Sequence, residues 1–277
     1  MGKFCWLLPL VIFFLIPSCV SGDKYEIAWE EEHETVPEND NPLPVRIDTI
    51  IHGSFECGTN APFGNPYPGG TDVIEDTTAP DGKYVIRFKY PRGLYGGSAP
   101  NIVGKVFPSQ LNEFWAQYYF KYSADWRWNT ILNKQVYITM GAQGNADPNF
   151  FIGANHYGSN MYMTTQVPPD GTLNQAYKTS GFSPAKNRWY KVNFHVKMNI
   201  PGEKDGIFQL WMDNELKIDV NNVMFRKAGV NSGYGFVSFQ MTPVYGGGKE
   251  EIPAEQYLYF DHVVVQTAPF SGLGGSH

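Results

Sequence analysis

The chain has 277 residues and a formal net charge of −6, with 21 Lys and Arg against 27 Asp and Glu. That balance argues against a general nucleic-acid binder and against a polybasic membrane patch, both of which need an excess of cations. With 19 Phe, 17 Tyr, 7 Trp and 29 Gly, and no long apolar pattern of helical period, the composition points to one all-β domain.

At the N-terminus, Lys3 precedes the apolar run Cys5–Ile16, which gives way to small and polar residues. A basic start, a short apolar run and a small-residue exit predict a secretory signal peptide over residues 1–22. The run falls short of the roughly 20 apolar residues that a membrane span needs. Ile16-Pro17-Ser18-Cys19 also resembles a lipoprotein box, which would put a lipid anchor on Cys19. Both exits imply export, to the medium or to the cell envelope. Residues 23–45 carry the run Glu30–Glu34 and three prolines, and read as an acidic, proline-rich linker. The folded domain is expected over 46–268, with 269–277 a flexible tail. Cys57 then reads as an unpaired thiol, packed as a small apolar group.

Within the domain, short alternating segments are separated by turn clusters. Strands are expected at Tyr84–Tyr90, Phe114–Tyr122, Gln135–Thr139 and Asn160–Gln166. The clearest follows at Trp189–Met198. There Tyr190, Val192, Phe194, Val196 and Met198 alternate with Lys191, Asn193, His195 and Lys197. Alternation of period 2 buries one face of a strand and offers the other to solvent or ligand. Ile207–Met212 and Leu216–Val220 flank the tight turn Asp213-Asn214-Glu215 as a hairpin. Tyr234–Met241 and Tyr257–Gln266 complete a two-sheet antiparallel β-jelly roll.

Several stretches are also familiar as sequence. Trp189-Tyr-Lys-Val, then Val196-Lys-Met-Asn-Ile-Pro-Gly-Glu-Lys-Asp-Gly206 and Trp211-Met-Asp-Asn214, resemble a segment of the concanavalin-like, jelly-roll polysaccharide lyases. Asn214 stands where the pattern usually has glycine. Tyr119–Trp126 with Asn133-Lys134, Pro243–Gly248 and Tyr259–Val265 fit the same pattern. The resemblance, over about 150 residues, implies the sandwich fold and a β-elimination on a uronate-containing polysaccharide. No catalytic residue is carried over from the family.

The residues themselves suggest where such chemistry would sit. If the outer faces of Phe114–Tyr122, Trp189–Met198 and Tyr234–Met241 lined one groove, it would hold Trp115, Gln117, Tyr119, Lys121, Lys191, Asn193, His195, Lys197, Ser238 and Gln240. Elimination needs a neutralised carboxylate, a base for the adjacent ring proton and an acid for the leaving oxygen. His195 is the candidate base, because imidazole titrates near neutrality. Tyr119 is the candidate acid, or the base if a nearby cation lowers its pKa. Asn193, Gln117 and Arg87 are candidate carboxylate neutralisers, and Lys134 is expected to hold substrate from a loop. A non-catalytic carbohydrate-binding or cell-surface protein is the alternative. A glycoside hydrolase is weaker, because no strand carries the paired acids that laminarinase-like jelly rolls use. No metal site is expected from His52, His156 and His262, which are scattered. Asp261 is the candidate for holding a structural calcium ion, and no cofactor is required.

Overall fold

The computed structural model describes residues 48–64, 69–142, 149–155, 158–166 and 175–273. The leader, the linker, Cys19 and His156 lie outside the described residues. The chain separates into units Met1–Asn39 and Asp40–His277, and all described residues fall in the second. They form fourteen strands and no α-helix.

The strands are β1 (Thr49–Gly53), β2 (Thr71–Glu75), β3 (Tyr84–Tyr90), β4 (Val103–Leu111), β5 (Glu113–Tyr122), β6 (Leu132–Gly141) and β7 (Asn149–Asn155). There follow β8 (Met161–Gln166), β9 (Ala176–Lys178), β10 (Tyr190–Lys197), β11 (Gly206–Met212), β12 (Glu215–Val223), β13 (Gly235–Met241) and β14 (Gln256–Gln266). An eight-stranded sheet runs β12-β11-β10-β5-β14-β3-β2, with β1 beside β14. A six-stranded sheet runs β4-β13-β6-β7-β8-β9. Every pairing is antiparallel. This is the two-sheet sandwich that the alternation predicted.

The alternating segments explain how the sheets meet. Phe114, Tyr118 and Phe120 of β5 and Phe194 of β10 turn inward and are fully buried. Phe114 packs edge-on against Phe236 of β13 at 5.2 Å, and Phe150 of β7 against Phe194 at 6.4 Å. Removing one such ring should cost about 3–5 kcal/mol, because a close-packed aromatic core collapses only partly around a void. The buried Gln135 accepts from the Tyr118 hydroxyl and donates to that of Tyr122, both at 3.0 Å, so these three polar groups satisfy one another inside the core. The β11–β12 turn has φ of 50° at Asp213 and 69° at Asn214. Two successive positive φ angles suit the right-handed twist of a hairpin, which is why Asn substitutes for glycine there.

In the full chain Cys57 is disulfide-bonded; the lone thiol is the expectation for the chain without residues 1–22, which contain the other two cysteines. One expectation is corrected. β13 belongs to the six-stranded sheet, so Ser238 and Gln240 do not share a face with β5 and β10.

Candidate functional site

Two outer faces result, and the sequence-derived candidates divide between them. His195, Tyr119, Asn193, Gln117, Arg87, Trp115, Lys121, Lys191 and Lys197 lie on the outer face of the eight-stranded sheet. There Asn193 is opposite Gln117, His195 opposite Trp115 and Lys191 opposite Tyr119. Lys134 and Gln240 lie on the outer face of the six-stranded sheet.

On the eight-stranded sheet most of these groups are already engaged. The His195 ring is buried and stacks on Trp115 at 4.2 Å, nearly parallel. Its Nδ1 is 3.0 Å from the Gln209 amide oxygen and its Nε2 is 2.9 Å from Glu113. Neither nitrogen is left to accept a substrate proton. The His195 bond, set against partial burial, holds the Glu113 carboxyl below its ordinary range, with Lys197 3.6 Å away adding to it. Arg87 makes a two-point bond to Asp72, at 2.9 and 2.5 Å, so it is matched before any uronate arrives. Lys121 pairs with Asp76 at 2.5 Å. Asn193 is fully buried, with both amide atoms unpartnered, and Gln117 beside it is nearly so. Tyr119 has a phenol pushed up by burial and by Asp261, Asp81 and Asp213. It therefore stays protonated at neutral pH, the form that the acid role needs. Of the three carboxylates, Asp81 and Asp213 would repel an anionic sugar.

Asp261 itself is buried, and burial, opposed by bonds from the backbone N–H groups of Asp81 and His262, raises its carboxyl to about 7. Among the described residues no group of three His, Cys, Asp or Glu side chains is placed to hold a metal ion.

The six-stranded sheet offers a different environment. Lys134 lies in β6, not in a loop as its sequence context suggested, at a β-bulge between Lys134 and Val136. Gly153 is its partner on β7. A Cβ at Gly153 would stand 2.5 Å from the Asn133 carbonyl oxygen and 2.7 Å from the Lys134 Cα, so only glycine lets β7 approach the bulge. The bulge aims the ammonium over two rings, 4.6 Å from the Phe151 centroid and 5.3 Å from that of Tyr137. Burial alone lowers its pKa, and no carboxylate acts on it.

One phenol lies beside this cation and a second follows two strands away on the same face. Tyr137 is paired across the strands with Gln240 and with Phe151. Tyr162 on β8 is opposite Gly153 and packs edge-on against Phe151 at 5.8 Å. Burial pushes both phenols well above their ordinary value, so both remain protonated at neutral pH. The Tyr162 hydroxyl is buried without a hydrogen-bond partner. Thr139 and Ser238, bonded at 2.6 Å, and Gln240, which donates to Ser238 at 3.2 Å, extend the polar row. A cleft of about 470 Å³ opens where Tyr245 bridges to Asn133, lined by Trp126, Trp128, Tyr245, Arg127, Lys186 and Glu250 among others. Tyr137 and Tyr162 were missed in the sequence, although Tyr137 already alternated with the core residues Val136 and Ile138.

Comparison with known proteins fits this architecture. Residues 142–263 match the family model described as polysaccharide lyase 14. The fold is similar to that of the endo-β-1,4-glucuronan lyase of the fungus Trichoderma reesei, with a TM-score of 0.59 and 14% identity over 80% of this chain and 96% of that one. It is equally similar to the marine PL-14 alginate lyase of Aplysia kurodai, with a TM-score of 0.59 and 15% identity over 80% of this chain and all of the other. The alginate lyase Aly36B, solved with a lysine and a tyrosine replaced by alanine and an alginate tetrasaccharide bound, gives a TM-score of 0.53 and 14% identity over 81% of this chain and 98% of that one. No curated protein matches the chain in sequence. The resemblance to jelly-roll polysaccharide lyases that the sequence suggested is borne out.

Proposed function

We propose that the protein is a polysaccharide lyase that cleaves a uronate-containing polymer by β-elimination on the outer face of the six-stranded sheet. One observation carries the choice of face. Burial alone acts on two half-buried cations, Lys134 and Lys191, but Lys191 is opposite Tyr119, whose phenol feels Asp261, Asp81 and Asp213, whereas Lys134 lies over Tyr137, on which no carboxylate acts. An unmatched cation in a partly desolvated site attracts an anionic sugar far more strongly than a matched one does. The likeness to glucuronan and alginate lyases supports a uronate as the substrate class.

The chemistry follows from those positions. The Lys134 ammonium neutralises the uronate carboxylate, which makes the proton on the adjacent ring carbon acidic. A phenol beside it, Tyr137 or Tyr162, carries the proton. As phenolate it takes the ring proton, and as phenol it returns that proton to the leaving glycosidic oxygen. The ring-carbon electron pair becomes the new double bond as the glycosidic bond breaks. The enzyme ends the turnover in its starting state, and this reaction needs no cofactor.

The test is to incubate the full chain with alginate, glucuronan, pectate and a heparin-type polymer, following the ultraviolet absorbance of the unsaturated uronate product. A rise with one polymer supports the reading and names the substrate. No rise with any, together with new reducing ends, would replace elimination by hydrolysis. Export through the leader at 1–22 belongs to the same reading. Intact mass of the exported chain distinguishes a start at Asp23 from a lipid-modified Cys19.

A further inference from the structure

The outer face of the eight-stranded sheet carries a row of side chains in register across five neighbouring chain segments. Asp72 of β2 is opposite Arg87 of β3, Arg87 is opposite Tyr259 of β14, and Tyr259 is opposite Lys121 of β5. Trp189, just before β10, continues the row. Its ring lies 4.7 Å from the Lys121 ammonium and 6.4 Å from the Tyr259 ring. Tyr257, two residues along β14 on the same face, is 6.2 Å from Tyr259 and lies under the Arg87 guanidinium at 4.7 Å. The three rings thus form a continuous aromatic ridge, and all three are half-buried.

The ridge is rigid and electrically matched. Arg87 is paired with Asp72, Lys121 with Asp76 and Lys89 with Glu255 at 2.9 Å. The Trp189 indole N–H donates to the Thr78 hydroxyl at 3.1 Å, and that hydroxyl also accepts from the Lys121 ammonium. Each cation that props a ring has its own carboxylate, so the ridge itself offers a uronate no unmatched cation. Rings held by fixed neighbours lose little entropy on binding, which is what a weak, repetitive ligand requires.

We infer that this ridge is a second, non-catalytic binding face for a neutral polysaccharide, a β-linked glucan whose apolar ring faces stack on Trp189, Tyr259 and Tyr257 while its hydroxyls meet the ion pairs at the rim. The charge balance decides the occupant. A polyanion would have to displace Asp72, Asp76 or Glu255 from existing pairs, whereas an uncharged sugar leaves all three intact. The face would hold the protein on a neutral matrix while the opposite face works on uronate segments embedded in it.

Retention of the full chain on microcrystalline cellulose and on insoluble β-1,3-glucan tests this directly. The wild type should be retained on at least one of them, with little change when salt is raised, because no net charge is neutralised. Trp189→Ala and Tyr257→Ala should each weaken retention by about tenfold or more, the loss expected for a stacked aromatic anchor. Melting temperatures identify any variant that has merely unfolded, and Trp189→Phe, which keeps a ring, should restore most of the retention. Lys134→Met, on the other sheet, should bind the glucan as the wild type does. Absence of wild-type retention on both polymers, retention abolished by salt or by Lys134→Met, or retention unchanged in both alanine variants would each overturn the inference. None of these outcomes depends on whether the protein cleaves uronates.

Discussion

Replacing Lys134 by methionine isolates the charge from the packing. The Lys134 ammonium lies over the rings of Phe151 and Tyr137, and a methionine of similar length reaches the same rings without the charge. A unit charge about 4 Å from a carboxylate, at the effective dielectric of a partly buried site, is worth about 4 kcal/mol. Loss of one preorganised group of this kind typically lowers kcat by about 10²–10³-fold. The fold should feel much less. The variant loses two ring contacts of about 0.5–1 kcal/mol each. It gains thioether–aromatic contacts of similar size. It also relieves a cation whose burial disfavours the charged form. Because the folded state binds that proton less readily than the unfolded chain, Lys134 makes wild-type stability rise with pH between its lowered pKa and about 10.4. The methionine variant should lack that rise. The assay pairs initial rates on the uronate polymer with thermal melts across this range. Turnover within about threefold of wild type at an unchanged melting temperature would refute the assignment, since effects of 10²–10³ are expected.

Tyr162→Phe should lower the rate yet leave the melting temperature equal or higher, because the hydroxyl it deletes is buried without a partner, a cost of about 1–3 kcal/mol. A rate loss matched by destabilisation would argue against a proton-carrying role. Because burial holds Tyr137 and Tyr162 protonated, log kcat should climb with pH from neutrality into the alkaline range, with a slope near one. A bell centred near about pH 6.5 would return attention to a histidine. His195→Ala should lower the melting temperature through loss of its bonds to Gln209 and Glu113, while kcat of the folded fraction stays within about twofold; a fall of 10²-fold or more would restore it as a base. Asp261, raised to about 7, makes the folded state bind more protons than the unfolded chain between about pH 4 and pH 7, so its contribution to stability falls as pH rises through that window. The melting temperature of Asp261→Asn, relative to wild type, should therefore increase from about pH 4 to about pH 8, and a decrease would contradict the raised carboxyl.

The strands were legible because burial in a sandwich imposes period 2 on any strand with one face in the core. Tyr84–Tyr90 coincides with β3, and the segments assigned to β5, β8, β10, β11, β13 and β14 are within a residue at each end. β4 was not read as a strand. Its Pro108 and its irregular burial suit an edge strand that pairs only with β13, and such strands carry little alternation. Alternation also says which side of a strand meets the core, but not which of the two sheets it joins. That gap put Gln240 beside His195, although the sandwich separates them. The position of Lys134 was illegible for another reason. It depends on a bulge and on Gly153 across the ladder, a relation between two strands that neither shows alone.

Net charge, like a single-strand pattern, does not locate a binding face. A chain with net charge −6 looks a poor partner for a polyanion, and summed over the surface it is. Recognition depends on which cations remain unmatched where the ligand lies, and pairing is decided by the fold. Along its aromatic ridge the eight-stranded sheet holds Arg87, Lys89 and Lys121, each with its carboxylate in reach, and there presents rings instead of charge. The six-stranded sheet holds Lys134 among Tyr137, Phe151 and Tyr162, where burial acts on the ammonium and no carboxylate does. The ridge and the Lys134 site are thus chemically opposite although both come from aromatic-rich strands with lysines on their outer sides. Placing a carboxylate within reach of Lys134 should silence the face without touching a candidate proton carrier. Thr164 on β8, opposite Phe151 and half-buried, offers the position. Thr164→Glu should give a folded protein with weakened substrate affinity that recovers when the added acid is protonated, while Thr164→Gln, of the same size and uncharged, should remain active. Equal loss in both variants would mean that bulk, not charge matching, governs the site.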